Sequence, residues 1–112
     1  MKVLKFGGSS VANSENIKKV LAIVAKASKN QKIVVVVSAF GKTTNKLLAA
    51  SNDALENIHI AKEILETIKA QHYQVIDDLI TTNKTVVSEE ITYLFDRLTS
   101  FYEGIFLLQE LS

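Results

Sequence analysis

The sequence predicts an α/β fold in which a strand, a helix and a second strand form a βαβ unit that is followed by a long helical hairpin. Two short apolar segments, Val3–Phe6 and Ile33–Val37, flank a stretch with helical periodicity. A continuous run of β-branched residues such as Ile33–Val37 is typical of a strand that is covered on both faces, as in a parallel sheet. Two longer segments with apolar residues every three or four positions follow, and they indicate amphipathic helices.

The composition excludes several classes of protein. The 112 residues carry 13 basic and 12 acidic side chains, a formal net charge of +1, so we expect neither a nucleic-acid partner nor a membrane surface. No apolar run approaches the roughly 18 residues of a membrane span. The sequence has no cysteine, which excludes thiolate chemistry and fits a cytoplasmic protein. His59 and His72 alone make a poor metal centre, so we expect no metal held by the protein itself.

The first strand runs into Gly7-Gly8-Ser9-Ser10, a flexible turn that is rich in hydrogen-bond donors. A helix follows from Ser14, with Asn13 or Ser14 as its side-chain cap and Glu15 in its first turn. The apolar residues of this helix keep the spacing of one helical face, and they are Ile17, Val20, Leu21 and Val24. The two strands and this helix make up the predicted βαβ unit.

A polar loop, Ser38–Asn45, follows the second strand and leads into a helical stretch at Leu47–Ala50. Two long helices are then predicted over Ile58–Leu79 and Ile91–Leu108, with a break at Thr81–Lys84. Because the break is short, an antiparallel hairpin is the simplest packing of these two helices.

The last helix is predicted to be capped by Ser88 at its start. Glu89 and Glu90 would then lie in its first turn, where negative charge favours the positive end of the helix dipole.

The predicted sheet is incomplete. Two strands joined by one helix leave both edges of the sheet unpaired, and a valine-rich two-stranded sheet is not expected to be stable alone. The chain ends at Leu111-Ser112 without a closing glycine or a basic last turn. We therefore expect residues 1–112 to be one segment of a longer domain.

The two loops that follow the strands are expected to open into one crevice. Parallel strands place Phe6 and Val37 at the same edge of the sheet, where open α/β sheets bind ligands. Gly7 and Gly8 carry no side chains, so their backbone N–H groups can approach an anion closely, beside the positive end of the following helix. The ammonium group of Lys5 can offset negative charge there, as phosphoryl transfer requires.

Less specific interpretations compete with this one. A Gly-Gly pair after a strand also suits a tight turn for conformational reasons alone. Gly41-Lys42-Thr43 matches the end of a P-loop, but Val36 stands where that motif needs its first glycine, which excludes the motif. The polar side chains of the second loop either cap a helix or hydrogen-bond a polar substrate, and they are Ser38, Thr43, Thr44 and Asn45.

Two motifs resemble those of aspartokinases. The stretch Lys5-Phe6-Gly7-Gly8-Ser9-Ser10-Val11-Ala12 is similar to the amino-terminal K-F-G-G-[ST]-S-V-A signature of that family. The segment Val34–Asn45, with a valine-rich strand, a Ser-Ala pair and a Thr-Asn pair, resembles the second motif of the family. Met1–Gly8 and Gly104–Leu108 look most like the kinase portion of bifunctional aspartokinase/homoserine dehydrogenases.

This resemblance implies the amino-acid-kinase fold, a carbamate-kinase-like α/β/α sandwich of which residues 1–112 form the amino-terminal segment. It implies transfer of the γ-phosphoryl group of ATP, with Mg²⁺ bound through the nucleotide, to the β-carboxylate of L-aspartate, the first step of lysine, threonine and methionine biosynthesis. By the same resemblance Lys5 is catalytic, and Ser38 and Thr44 hold aspartate. Contacts to the nucleotide are implied for Lys5, Phe6, Gly7, Gly8 and Ser9.

Later parts of the aspartokinase pattern lie beyond this sequence, among them the S-x-G-E motif, the nucleotide-base pocket and the regulatory ACT modules. We therefore expect the chain alone to be inactive. The resemblance implies ATP and L-aspartate as small-molecule partners. We also expect a cytoplasmic homo-oligomer, since the exposed valine-rich edges of the sheet favour self-association of the chain.

Two other functions are weighed against this one. Another amino-acid kinase, acting on glutamate, acetylglutamate or carbamate, would share the fold. A non-enzymatic interaction module would instead use the two helices between Ile58 and Leu108 to pair with a partner, and its Gly-Gly turn would be only a turn.

Overall fold

The computed structural model describes residues 1–111, and every predicted helix and strand is present in it. The elements in chain order are β1 (Lys2–Phe6), α1 (Ser14–Ala27), β2 (Ile33–Val37), α2 (Thr43–Asp53), α3 (Ile58–Leu79) and α4 (Lys84–Leu111). They divide into two compact units, Met1–Thr43 and the residues from Thr44 onward. No helix in the described part of the chain is long and apolar enough to cross a membrane.

In the first unit, β1 and β2 form a parallel two-stranded sheet, as predicted. Lys2 pairs with Ile33, and Phe6 pairs with Val37, so the two strands end side by side. Parallel strands need a crossover connection, and α1 supplies it. The βαβ unit is confirmed.

The valines of β2 are less covered than predicted. Side chains alternate between the faces of a strand, and Val35 and Val37 line an apolar cavity of about 290 Å³ together with residues of α1. The four valines of β2 nevertheless remain 39–59% exposed. The expectation that β2 is covered on both faces is not met within residues 1–111, because two strands and one helix are too few to enclose a sheet.

Helix α1 starts where the sequence predicts, and Asn13 is its cap. The Asn13 side chain accepts a hydrogen bond from the backbone N–H of Asn16 at 2.9 Å, while the backbone of Asn13 is still extended. Ser14, the other predicted cap, is the first helical residue. This bond satisfies one of the helix N–H groups that would otherwise lack a partner.

The second unit contains a well-buried core. Its cluster of buried residues consists of Ala50, Ala54, Ala61, Leu65 and Tyr102. Small alanine side chains let the backbones of neighbouring helices approach each other closely. The Tyr102 hydroxyl donates a hydrogen bond to the backbone carbonyl of Leu47 in α2 at 2.9 Å, which satisfies the polar end of this buried aromatic residue.

Helices α3 and α4 form the predicted antiparallel hairpin. Lys62 near the start of α3 pairs with Glu103 late in α4, at 2.9 Å between Nζ and Oε1. Near the middle of the hairpin, the rings of His72 and Phe95 pack edge to face with centroids 5.3 Å apart. Because exposed ion pairs contribute little free energy, the apolar seam stabilises the hairpin.

Helix α4 begins at Lys84, four residues before the predicted cap at Ser88. Asn83 adopts a left-handed conformation with φ of 58°, which asparagine tolerates better than most residues. Its carbonyl already accepts the first bond of the helix, from the N–H of Val87 at 3.1 Å. The prediction that Ser88 caps this helix is therefore wrong, and Glu89–Glu90 lie outside its first turn.

Candidate functional site

The carboxyl ends of β1 and β2 lie side by side in the first unit, and each leads into one of the two predicted loops. Phe6 is opposite Val37, and the backbone N–H of Ser38 donates to the Phe6 carbonyl at 3.1 Å. This bond extends the ladder one residue beyond the strands and holds Ser38 beside the start of the first loop. The prediction that both loops open at one edge of the sheet is confirmed.

The two loops meet through their glycines. A Cβ atom added to Gly8 would lie 3.3 Å from the carbonyl oxygen of Ala39, and one added to Gly41 would lie 3.2 Å from the Cβ of Ala12. These distances are tighter than ordinary van der Waals contacts, so a side chain at either position would force its neighbours to move. Gly7, in contrast, has nothing within 4 Å of such an atom.

The first loop leaves three consecutive backbone donors unpaired. The N–H of Ser10 donates to the Gly7 carbonyl at 3.1 Å and closes a turn. Within residues 1–111, the N–H groups of Gly7, Gly8 and Ser9 donate to no acceptor. Successive free N–H groups in a tight turn form a concave site for an anion. Three unpaired donors of this kind suit an anion such as phosphate, and phosphate binding by the first loop stays a prediction.

Helix α1 adds to this polarity, because its amino terminus carries partial positive charge directly after the loop. The side-chain amide nitrogen of Asn16 donates to the carbonyl of Ser9 at 3.1 Å and so ties the helix to the loop. Sequence reasoning does not find this bond, because an asparagine in the first turn of a helix is equally compatible with a solvated side chain.

Lys5 lies one residue before the end of β1, opposite Val36, and its side chain is exposed. Its ammonium group makes no ion pair or hydrogen bond with any residue in the described range 1–111. No carboxylate of the described chain therefore neutralises this charge, and it is free to attract an anion.

Phe6 and Ser9, the two remaining residues with implied nucleotide contacts, border a cavity of about 340 Å³. Ser10, Asn16 and Lys19 contribute its other polar groups. Phe6 is half-buried and Ser9 is exposed. The cavity therefore combines an apolar wall with hydroxyl, amide and ammonium groups beside the first loop.

Ser38 and Thr44 are both exposed, and neither hydroxyl hydrogen-bonds to another group of the described chain. Ser38 directly follows β2 in the first unit, whereas Thr44 lies in the first turn of α2 and belongs to the second unit. Their contact with aspartate stays a prediction.

The first loop carries hydrogen-bond donors and a nearby positive charge, and not a cluster of metal-binding side chains. Among residues 1–111, no group of three or more histidine, aspartate or glutamate side chains is placed to hold a metal ion. The first loop instead presents backbone N–H groups, a hydroxyl group at Ser9 and the nearby strand-end Lys5. This chemistry favours an anionic ligand over a cationic one.

Residues 1–100 match the amino acid kinase family. The chain belongs to the amino acid kinase family. It is 37% identical over 113 residues to aspartokinase 1, chloroplastic, of Arabidopsis thaliana, covering 98% of this chain and 19% of that protein. It is 32% identical over 120 residues to the bifunctional aspartokinase/homoserine dehydrogenase of Buchnera aphidicola, covering 98% of this chain and 14% of that protein.

The fold of the chain also matches a solved aspartokinase structure. The crystal structure of Escherichia coli aspartokinase III in complex with lysine and aspartate (T-state) aligns with a TM-score of 0.79 and 31% identity, over 96% of this chain and 23% of that chain. The resemblance to aspartokinases is thus confirmed in sequence and in fold. The chain spans 14–23% of the lengths of these three proteins.

Proposed function

We propose that this chain carries the phosphate-binding part of an aspartokinase, which transfers the γ-phosphoryl group of ATP to the β-carboxylate of L-aspartate and forms 4-phospho-L-aspartate. The observation that supports this most directly is the row of free N–H groups at Gly7, Gly8 and Ser9. The exposed ammonium group of Lys5, near the end of the strand that leads into this row, adds the positive charge that a phosphoryl group requires.

The proposed reaction explains why no histidine lies at these loops. A β-carboxylate is already ionised at neutral pH, so its oxygen can attack the γ-phosphorus without a general base. The new P–O bond forms while the bond to the β,γ-bridging oxygen breaks, and ADP leaves. Catalysis then depends on holding two anions in line and offsetting their mutual repulsion.

Lys5 and the residues of the first loop reduce the repulsion between the two anions. Lys5 balances charge that moves toward the leaving group, and the donors of Gly7, Gly8 and Ser9 bind phosphate oxygens without any side-chain movement. Phe6 forms the apolar wall behind them. The proposed substrate is the Mg²⁺ complex of ATP, with the ion held through the phosphates.

Ser38 and Thr44 are the proposed contacts to aspartate. Their free hydroxyls can donate to its carboxylates, and the bond from the Ser38 N–H to Phe6 holds Ser38 next to the first loop. Glutamate, acetylglutamate and carbamate kinases remain the alternatives that share the fold. The names of the relatives favour aspartate, and so the pathway is that of lysine, threonine and methionine.

The unpaired sheet edges of the first unit and the exposed valines of β2 support association of copies of this 112-residue chain. A homo-oligomer is also part of the proposal for the whole protein. A cytoplasmic location is also part of the proposal. The interaction-module alternative has less support, because α3 and α4 already pack on each other.

Titration with inorganic phosphate, followed through the NMR shifts of the backbone amides, tests the phosphate loop. We expect the largest shifts at Gly7, Gly8 and Ser9. The Lys5→Ala variant should bind phosphate about three- to tenfold more weakly, because a partly solvated charge-assisted contact is lost. Its unfolding midpoint should stay near that of the unmodified protein, since the side chain is exposed.

Lys2→Ala is the matched control, because Lys2 is an exposed lysine at the opposite end of the same strand. An equal loss of affinity in both variants would mean that only net charge matters. Absence of shifts in the loop would overturn the phosphate site. Addition of aspartate, glutamate or acetylglutamate then compares substrates, and only aspartate should shift the amides of Ser38 and Thr44.

A further inference from the structure

The hydrogen bond between Asn16 and Ser9 joins the first turn of α1 to the middle of the phosphate loop. The two residues are seven positions apart, and the distance from the Asn16 amide nitrogen to the Ser9 carbonyl oxygen is 3.1 Å. The same carbonyl also accepts from the N–H of Ala12 at 3.4 Å. The peptide unit that follows Ser9 is therefore held at its oxygen by two donors.

This peptide unit also carries the N–H of Ser10, which donates to the Gly7 carbonyl at 3.1 Å. Rotation of the unit would break the bonds at both of its ends. It would also misalign the free N–H groups of Gly7, Gly8 and Ser9, which precede it directly. The orientation of the Ser9 carbonyl thus determines the shape of the whole anion site.

The stability of α1 does not require an amide at position 16. The N–H of Asn16 is capped by the Asn13 side chain at 2.9 Å whatever side chain stands at position 16. At this third position of a helix, glutamate or glutamine would reach back to the cap residue and complete a capping box. A carboxylate would also suit the helix dipole better. Neither consideration explains a side chain that donates to Ser9.

We propose that Asn16 is a positioning residue of the phosphate loop, whose side-chain amide holds the Ser9 carbonyl so that the donors of Gly7, Gly8 and Ser9 are aligned before the phosphate group arrives. This inference rests on the proposed phosphate-binding function. Alignment in advance raises affinity because the loop loses less conformational freedom when it binds. A carbonyl oxygen needs a hydrogen-bond donor as its partner, which the asparagine amide supplies and an ionised aspartate does not.

Asn16→Ala separates this role from a merely structural one. Alanine has a higher helix propensity than asparagine, so α1 should be as stable as before or more stable. The loop, in contrast, loses the hydrogen bond from the Asn16 side chain to the Ser9 carbonyl. We expect the dissociation constant for inorganic phosphate to rise about three- to tenfold, faster exchange of the Ser10 amide, and an unfolding midpoint that does not fall.

Two further variants complete the test. Asn16→Leu, which has the same branching at Cγ and no donor, should repeat the loss of affinity. Asn30→Ala makes the same change as Asn16→Ala in the turn beyond the other end of α1, and it should leave phosphate binding unchanged.

The outcomes distinguish this inference from the function on which it rests. If the unmodified protein shows no phosphate shifts, the phosphate site itself is wrong. If it binds phosphate but Asn16→Ala and Asn16→Leu bind equally well, the site stands and the positioning role is overturned. A loss of affinity that parallels a lower unfolding midpoint would also overturn it, because the effect would then be general destabilisation.

Discussion

Gly8 and Gly41 pack backbone against backbone where the two loops of the first unit meet. The position that a Cβ atom on Gly8 would occupy is 3.4 Å from the Cα of Gly41. This contact brings the loop after β2 against the loop that carries the free N–H groups. A ligand bound to those donors would therefore lie near the second loop, as the proposed transfer between two substrates requires.

Gly8→Ala should destabilise the protein by about 1–3 kcal/mol, the usual cost of inserting a methyl group into a filled space. The methyl group would press on the backbone at Ala39 and Gly41, which cannot rotate away as a side chain could. Phosphate affinity should fall as well, because the loop must shift. Urea unfolding and phosphate titration measure the two effects.

Gly7→Ala is the control for this substitution. Nothing lies within 4 Å of a Cβ atom at Gly7, and no glycine of the described chain has a positive φ. An alanine there should change the free energy of unfolding by less than about 0.5 kcal/mol. Equal damage from both substitutions would show that the loop needs glycine for flexibility and not for space.

Thr43→Val should increase stability by about 1 kcal/mol, since a buried hydroxyl without a partner costs about 1–3 kcal/mol. Thr43 is 5% exposed, and its Oγ1 has no hydrogen-bond partner within residues 1–111. Urea denaturation measures the change, and Thr44→Val at the exposed neighbouring position should have little effect. Destabilisation by Thr43→Val would reveal that a bound water or another group satisfies the hydroxyl.

Much of this fold could be predicted because its signals are local. Each signal lies within a single segment of the sequence, and each predicted element is present. The signals are the helical periodicity of α1, the β-branched run of β2, and the apolar residues at every third or fourth position of α3 and α4. The parallel pairing follows from the crossover helix, and the antiparallel hairpin follows from a short break. The pattern of apolar residues does not predict the start of α4, because this start depends on the left-handed conformation of a single residue, Asn83.

The sequence predicts the residue types of the candidate site and the sheet edge where its two loops lie, but not the contacts between those loops. The glycines, Lys5 and the hydroxyls of the second loop are visible in the sequence as residue types. The contact of Gly8 with Gly41 joins residues that are far apart in the chain, and no local pattern signals it. The bond from Asn16 to Ser9 depends on one rotamer. Neither the contact between the glycines nor the bond from Asn16 can be predicted from the sequence alone.

Lys42→Gly should stabilise the protein by about 0.5–1 kcal/mol. Lys42 has φ of 61° in the second loop, a left-handed conformation that costs a residue with a Cβ atom about 1–2 kcal/mol and costs glycine very little. Lys46→Gly makes the same change within α2 and should have the opposite sign, a loss of about 1 kcal/mol. Thermal unfolding of both variants checks the prediction, which is wrong if the two shift in the same direction.

Tyr102→Phe should cost about 0.5–1.5 kcal/mol at neutral pH, because the bond from the tyrosine hydroxyl to the Leu47 carbonyl is lost. Burial raises the pKa of Tyr102 above its usual value of 10.0, since the charged phenolate is poorly solvated inside the protein. The folded state therefore holds this proton more tightly than the unfolded state does. The resulting stability is complete below pH 10 and is lost as the pH rises through the folded pKa.

Urea unfolding between neutral pH and the alkaline range isolates this contribution. The difference in unfolding free energy between the unmodified protein and Tyr102→Phe should shrink as the pH rises above 10. Tyr93→Phe serves as the control, because Tyr93 is 60% exposed, whereas Tyr102 is buried. A difference that stays constant across the pH range would mean that the Tyr102 phenol ionises as readily in the folded protein as in the unfolded chain.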